Sequence, residues 1–335
     1  MDHVHAFLVH IWVGFLALFL TLYVVLDGFD LGIGVLSLFV RERERRGIMM
    51  ASLSSVWDAN ETWLIVLGGA LFGAFPPVYA IILHALYLPL IVMIFALVFR
   101  GVAFEFREQS RRPRIWEIAF GLGSLTATLC QGFVLGGLIG GLQVQGGQFV
   151  GHPFDWLSPF SVLTALGVVF GYVLLGATYL IIKTAGEQQR HSVQTAWIAG
   201  ALMLIAAAGV SVWTPIRYSF VAEKWFAGGL DFRFVIPPAF AIFCSAMLAR
   251  SLWKMHERAP FVWTVGIFLA SLAGLVGSLS PYLVPGSVTA LQAGSDSLTL
   301  VFMMLGIGML IPVMIAYNAY QYVVFRGKVT APHYG

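Results

Sequence analysis

Residues 6–26 read AFLVHIWVGFLALFLTLYVVL, an apolar run of helical length that decides the class of this protein. A helix that rises about 1.5 Å per residue needs about 20 apolar residues to cross about 30 Å of hydrocarbon. The rest of the 335-residue chain has the same character, because 59% of its residues are hydrophobic and 10% are charged. A typical globular domain has about 25% charged residues. The sequence therefore predicts an all-α polytopic membrane protein and excludes a soluble enzyme.

Nine apolar segments have the length of transmembrane helices, and short polar clusters separate them. They cover approximately residues 6–40, 48–72, 77–104, 115–140, 158–182, 195–213, 231–253, 260–284 and 297–325. A loose similarity between GSLTA at 123–127 and ASLAG at 270–274 indicates two related halves. We therefore predict one membrane domain, 1–335. It comprises a four-helix bundle at 1–140, a second four-helix bundle at 158–284, and a peripheral ninth helix at 297–325.

The basic residues are distributed unevenly between the predicted connections. Of the 19 Lys and Arg residues, all but Arg217, Lys224 and Arg233 fall on one side of a nine-span arrangement. Connections rich in Lys and Arg face the cytosol. We therefore expect the N-terminus outside and the C-terminus in the cytosol. This distribution explains the slight net positive charge, so no nucleic-acid partner is predicted.

Four carboxylates interrupt the first two predicted spans. Asp27 and Asp30 lie in the run DGFDLGIG, and Asp58 and Glu61 lie in the run WDANETW. Each pair has i, i+3 spacing, which places both members on one helix face. Counting helix rise from the nearby basic clusters puts all four at a depth of about 16–22 Å. We therefore expect the four carboxylates to gather at one level.

Four ionised carboxylates cannot share a low-dielectric site, so some must be protonated, paired with a cation or linked by water. Buried membrane acids are functional candidates by default, which favours proton relay or cation binding. Arg100, on the inner half of the third span, is the expected counter-charge unless its side chain extends to the cytosolic interface. A structural alternative stays open: Asp27 and Asp30 satisfy backbone groups at a helix break near Gly28 and Gly32.

Histidine and cysteine residues give no ligand pattern. His10 and His84 fall near the outer ends of two spans, where an axial pair for a haem has room, but no spacing fixes that pairing. An isolated membrane histidine is more often a hydrogen-bonded packing residue. Cys130 and Cys244 have no partner at metal or redox spacing and are predicted to be buried core residues. We therefore predict no haem or metal held by ligands of this chain.

Taken together, these motifs resemble those of subunit II of the cytochrome bd-type quinol oxidases. The matching segments are DGFDLGIG at 27–34, WDANETWLI at 57–65, GGALF at 68–72, Phe99-Arg100, GATYL at 176–180 and SLTL at 297–300. The resemblance covers essentially the whole chain. It implies nine spans in a bacterial cytoplasmic (inner) membrane and pseudo-symmetric pairing with a homologous subunit I. That partner would carry the haems and the quinol-oxidising loop.

Some residues match positions to which the family attaches a role. Asp58 matches an acid at the subunit interface that is proposed to bring cytosolic protons towards the oxygen-reducing site. Trp63 matches a tryptophan near a proposed lateral route for oxygen in some members. Glu61 stands where some members have glutamine, and the short connection near 214–231 resembles the cyanide-insensitive branch. The resemblance also implies b-type haems, in some members haem d, and in some a structural quinone.

The sequence thus predicts a non-haem subunit of a respiratory terminal oxidase that oxidises quinol and reduces dioxygen to water. It would form an obligate heterodimer with subunit I, with small single-span subunits, quinone and lipids as further partners. Asp58, Glu61, Asp27 and Asp30 would give protons access, with Arg100 as counter-charge. Two alternatives stay open. One is a stand-alone proton- or cation-coupled transporter that uses the same acids, and the other is a scaffold whose acids only hold helix breaks.

Overall fold

The computed structural model describes residues 3–226 and 232–329, and most of these residues are helical. The helices are α1 (His3–Ser37), α2 (Arg43–Ala51), α3 (Trp57–Ala74), α4 (Pro76–Ala85), α5 (Tyr87–Gln109), α6 (Pro113–Ile139), α7 (Pro159–Lys183), α8 (Gly186–Arg217), α9 (Ser219–Phe226), α10 (Phe232–Trp253), α11 (Ala259–Leu279), α12 (Ala290–Ala293) and α13 (Ser297–Val324). The predicted connection near 214–231 ends in residues 227–231, which lie outside the described residues.

Eight of the described helices are long and apolar enough to cross a membrane, namely α1, α5, α6, α7, α8, α10, α11 and α13. The sequence predicted nine, and the difference lies in the segment 48–72. That segment is not one helix, because α2 ends at Ala51 and α3 begins only at Trp57. The 18 residues of α3 rise about 27 Å, but the polar residues in its first turns lower its apolar character. The chain is therefore a multi-pass membrane protein with one polar helix of near-spanning length.

Helix α1 lies at the centre of the fold and packs against α3, α6 and α7. Its glycines permit this approach, since a Cβ atom on Gly32 would overlap the carbonyl oxygen of Tyr172, and one on Gly34 would overlap the hydroxyl of Ser124. The helix runs unbroken past both glycines. The predicted alternative of a helix break near Asp27 is therefore wrong, and these glycines serve close packing between helices.

Helices α6 and α7 also approach closely, as the small residues of the fourth predicted span indicate. A Cβ atom on Gly132 would overlap the backbone of Ala165, and one on Gly136 would overlap the backbone of Ser161. Small residues allow such contact because they remove the side chains that separate two helix axes. Helix α7 therefore touches both α6 and α1, and it joins the two predicted bundles.

Two short antiparallel hairpins follow α6 and α11. The first pairs β1 (Val144–Gln145) with β2 (Gln148–Phe149), and the second pairs β3 (Tyr282–Val284) with β4 (Val288–Thr289). The turn of the first hairpin is Gly146-Gly147, with φ of +57° and +78°, which glycine adopts without strain. Because α6 and α11 are the fourth and eighth predicted spans, the hairpins occupy equivalent positions, which supports two related halves.

Helix α13 is attached at both ends. At its start Nε1 of Trp12, on α1, donates to the carbonyl of Leu300 over 3.1 Å. The carboxylate of Asp296 caps the helix by accepting hydrogen bonds from the side chain and backbone of Thr299, which lower the pKa of the Asp296 carboxyl. At its end Lys183 of α7 donates to the carbonyl of Phe325. The helix continues through Pro312 between these two points. The last helix is therefore fixed against the rest of the protein although most of its surface is exposed.

Candidate functional site

Asp27, Asp30 and Arg100 form a buried ion cluster between α1 and α5, and none of the three side chains is exposed. Nη1 of Arg100 lies 2.6 Å from Oδ1 of Asp27, and its Nη2 lies 3.5 Å from Oδ2 of Asp30. The i, i+3 spacing on α1 turns both carboxylates towards the same guanidinium. The opposite charges offset part of the cost of removing each ion from water. The cluster still contains one more carboxylate than cations.

Two further helices bind this ion cluster through hydrogen bonds. Nδ2 of Asn60, on α3, donates to Oδ2 of Asp30 over 2.9 Å. The hydroxyl of Tyr322, on α13, donates to Oδ1 of Asn60 over 2.7 Å. The amide of Asn60 thus uses its donor and its acceptor at once. Helices α1, α3, α5 and α13 therefore meet at one polar centre.

A second hydrogen-bonded group lies one turn before Asp27 on α1. Nε2 of Gln131, on α6, donates to the hydroxyl of Tyr23 over 2.6 Å, and the hydroxyl of Tyr172, on α7, donates to Oε1 of Gln131 over 2.7 Å. Tyr23 precedes Asp27 by four residues and therefore lies on the same face of α1. The residues predicted from sequence did not include Gln131 or either tyrosine. The i, i+4 spacing from Asp27 was the available signal for Tyr23.

Asp58 and Glu61 do not join the ion cluster. Asp58 is exposed in the first turn of α3, where its Oδ1 accepts a hydrogen bond of 2.8 Å from the backbone N–H of Ala59. Glu61, one turn further on, is half-buried and interacts electrostatically with Arg100 and Asp27. Neither acid forms an ion pair with Arg100, so the gathering of all four carboxylates at one level stays a prediction. Asn60, which lies between the two acids in sequence, is the α3 residue that contacts Asp30.

The predicted depths of the four acids stay a prediction. Residues 38–42 and 52–56 are not part of the long helices, so helix rise cannot be counted through them. Asp30 lies seven residues before the end of α1, or about 10 Å from it. Asp58 is the second residue of α3. We call the end of the protein that carries Arg43, Arg45 and Arg46 the basic end.

Trp63 is completely buried between α1, α3 and α13. Its Nε1 donates to Oδ1 of Asn318 over 2.8 Å, and its ring stacks on Phe19 with centroids 6.0 Å apart. An indole in an apolar core usually finds such a hydrogen-bond acceptor. Trp63 is therefore part of the packing that holds α13 against α3.

The two span histidines lie on the surface of the chain. Nδ1 of His10 is 2.6 Å from the carbonyl oxygen of Ala6, and the ring of His84 packs edge-on against Phe149. Within residues 3–226 and 232–329, no group of three or more His, Cys, Asp or Glu side chains could hold a metal ion. Cys130 and Cys244 are buried and free, which confirms that they are core residues.

Ion pairs concentrate at the basic end. Glu117 of α6 lies 2.8 Å from Nε of Arg46 and 3.3 Å from Nη2 of Arg107, so it joins α2, α5 and α6. In the connection between α10 and α11, hydrogen bonds from Lys328 and then Gln189 lower the pKa of the Glu257 carboxyl below its ordinary value. These acids are occupied by local partners, whereas Asp58 forms no ion pair with any described residue.

Comparisons with known proteins give one consistent family. The family model for cytochrome bd terminal oxidase subunit II matches residues 8–325. The chain is 28% identical to cytochrome bd-I ubiquinol oxidase subunit 2 of Escherichia coli (strain K12), an alignment that covers 96% of this chain and 94% of that protein. It is 27% identical to cytochrome bd ubiquinol oxidase subunit 2 of Bacillus subtilis (strain 168), with 96% of each chain covered.

The fold agrees with a solved structure. A chain in the structure of bd oxidase from Geobacillus thermodenitrificans superposes with a TM-score of 0.76 and 18% identity, covering 95% of this chain and 99% of that one. At that identity the likeness shows the fold alone. The relatives favour an oxidase subunit over a transporter. The chain belongs to the cytochrome bd terminal oxidase subunit II family.

Proposed function

We propose that this chain, as subunit II of a quinol oxidase complex, gives protons access to the oxygen-reducing site of the complex through Asp58 and Glu61. Reducing dioxygen to water consumes protons as well as electrons. In this family the haems that transfer those electrons belong to the partner subunit. The observation that carries the proposal is the exposed position of Asp58 on a face of α3 that is otherwise apolar.

The exposed face of α3 is a single stripe. Asp58, Ile65, Gly69 and Phe72 are all exposed, and their spacing places them along one side of the helix. Ile65 is 73% exposed and Phe72 is 60% exposed. Apolar side chains can face lipid, but a carboxylate cannot do so without a polar partner. The stripe is therefore suited to contact with subunit I, across an interface of about 2,000 Å² or more, as obligate partners form.

The ion cluster has a role in this pathway. Glu61 lies between exposed Asp58 and buried Arg100, and it interacts electrostatically with both. A carboxylate that must gain and lose a proton in a low-dielectric environment needs a nearby positive charge to support its ionised form. In the proposal Arg100 supplies that charge, while Asp27 and Asp30 hold the guanidinium in place and form the buried end of the pathway.

The remaining features of the proposal concern the membrane and the partner. Helix α3 would act as the ninth span, the basic end would face the cytosol of a bacterium, and the N-terminus would lie outside the inner membrane. In the proposal one helix bundle covers residues 1–140, the second covers 158–284, and the peripheral helix covers 297–325. The apolar core around Trp63 is suited to the passage of dioxygen. The partner's b-type haems or haem d, a structural quinone and small additional subunits complete the proposed complex.

The test replaces Asp58 by asparagine in the assembled oxidase. Asparagine keeps an oxygen for the N–H of Ala59 but cannot titrate. Quinol oxidase turnover and proton uptake should fall on the order of a hundredfold, at the low end of general acid–base effects, while haem content and yield stay at parental levels. Glu61→Gln should have a smaller effect, because some relatives carry glutamine there.

Glu187→Gln provides the matched control. Glu187 is an exposed acid at the start of α8 near the basic end, and it lies outside the stripe. This variant should turn over at the parental rate. Parental turnover by Asp58→Asn across the pH range would remove Asp58 from the proton route. Loss of the whole complex in Asp58→Asn would instead favour the scaffold alternative.

A further inference from the structure

A cleft opens between α8 and α10 at the basic end, on the side of the molecule formed by the second half of the chain. Its volume is about 290 Å³, and Trp197, Ala249, Arg250, Trp253 and Lys254 line it. The two tryptophans are exposed, Trp197 by 42% and Trp253 by 83%. Helix α8 packs mainly on α7, and helix α10 packs mainly on α11. Helices α8 and α10 therefore have little contact with each other.

The two basic side chains of this cleft lack acidic partners in the described part of the chain. Neither Arg250 nor Lys254 is within ion-pair distance of a described carboxylate, whereas Arg45, Arg46, Arg100, Arg107 and Lys328 all are. Glu257, the acid nearest in sequence, already binds Lys328 and Gln189. The cleft therefore presents two uncompensated positive charges beside two indole rings.

The position of the cleft along the helices is that of a membrane–water interface. The apolar part of α10 ends at Trp253, and the polar run 186–194 precedes Trp197 on α8. Tryptophan is enriched at this level because its ring is apolar and its N–H is polar. Towards the membrane centre, Ile198 and Ile205 of α8 and Ile242 of α10 are exposed. A ligand in the cleft would thus have its head between the cations and its tails on isoleucine side chains.

We propose that this cleft binds the phosphate-bearing headgroup of an anionic phospholipid of the leaflet at the basic end. Arg250 and Lys254 contact the phosphate, and the two tryptophans flank the glycerol region. Charge complementarity selects this occupant, since an apolar helix would leave both cations buried and unpaired. A zwitterionic lipid carries a cation beside its phosphate, so it gains less from binding to Arg250 and Lys254.

The test counts lipids that stay bound to the purified, assembled oxidase. The complex is washed in mild detergent, exposed to equal amounts of phosphatidylglycerol and phosphatidylcholine in mixed micelles, and analysed by native mass spectrometry. The parental complex should retain phosphatidylglycerol in preference to phosphatidylcholine. Each Lys or Arg near a membrane surface contributes about 1 kcal/mol to anionic lipid attraction. The variant Arg250→Gln/Lys254→Gln removes two such charges and should therefore lose this preference by about thirtyfold, with oxidase activity in detergent unchanged.

The control variant is Arg111→Gln/Arg114→Gln, which removes two exposed charges from another connection at the basic end. It should retain the lipid like the parent. Equal retention by all three proteins would overturn the proposal, and so would a parental complex without preference, as expected if the partner subunit fills the cleft. Inorganic phosphate should displace no more lipid than sodium chloride of matched ionic strength. Specific displacement by phosphate would show a free-phosphate site and refute a lipid site.

Discussion

Replacing Arg100 by glutamine should destabilise the assembled oxidase by about 3–5 kcal/mol, the usual cost of removing one partner from a buried ion pair. The structure explains the size of this effect. Asp27 and Asp30 are completely buried and lie 2.6 Å and 3.5 Å from the guanidinium. Glutamine would leave both carboxylates without their counter-ion in a low-dielectric environment. Most of the cost therefore comes from the uncompensated carboxylates and not from lost packing.

A cluster without charges provides a second, stricter prediction. The triple variant Asp27→Asn/Asp30→Asn/Arg100→Gln has polar side chains of similar size at all three positions and no buried charge. Buried ion groups replaced together by well-packed hydrophobic residues of similar volume often cost little, and the amides of Asn and Gln can in addition hydrogen-bond one another. The triple variant should therefore regain most of the stability that Arg100→Gln loses and lie within about 2 kcal/mol of the parent. Asn60 and Tyr322 would still find hydrogen-bond partners there.

The assay is the free energy of unfolding of the complex in mixed micelles, titrated with sodium dodecyl sulfate and followed by tryptophan fluorescence. All variants are compared at one protein concentration, because subunit dissociation contributes to the transition. A triple variant as unstable as Arg100→Gln would refute the charge argument and assign the loss to packing. An Arg100→Gln variant as stable as the parent would refute the assignment of the ion cluster as a buried, charged centre.

Two further predictions concern packing and pH. Gly32→Ala should destabilise the protein by about 1–3 kcal/mol, as overpacking does, because the new Cβ atom would overlap the carbonyl of Tyr172. Gly14→Ala, whose Cβ atom would meet nothing within 4 Å, should be neutral or stabilise the protein by up to about 1 kcal/mol. Equal denaturation midpoints for the two variants would contradict close packing of α1 on α7. The Glu257 carboxyl has a lowered pKa in the folded protein. Its pairing with Lys328 should therefore stabilise the folded protein at neutral pH, and this stabilisation should be lost as the pH falls through the lowered pKa of Glu257. The difference in melting temperature between parent and Glu257→Gln should vanish in acid, and a difference that persists there would exclude this linkage.

Apolar length was sufficient to predict the membrane class and the long helices, because one helix must cross a fixed thickness of hydrocarbon. It failed at residues 48–56, which read IMMASLSSV. That run contains no glycine or proline, so the usual signals of a helix end are missing. The structure nevertheless ends α2 at Ala51 and starts α3 at Trp57. This short interruption separates α2 from α3, so helix rise cannot be counted from the basic cluster to Asp58.

The candidate site was predicted in part. Residue type and position in the apolar segments predicted Asp27, Asp30 and Arg100 as site residues, and the structure brings these three together. It did not reveal Tyr322, which contacts Asn60 across 262 residues of chain. Helical periodicity describes neighbours within one helix, so a partner on a distant helix is visible only once the helices are packed.

The two acid pairs show how packing divides one residue type between two roles. Asp27 and Asp30 lie on α1, which other helices surround, and their burial required a cation from α5. Asp58 lies on α3, whose outer stripe has no partner within the described chain. A carboxylate enclosed by its own subunit can hold a helix bundle together, and in the proposal it exchanges protons with another protein only through Glu61 and Asp58. A carboxylate at the surface can exchange protons with a second subunit, and its charge is tolerated in a membrane only when that subunit or water covers it. The exposure of Asp58 therefore argues at once for the partner and for the proton route.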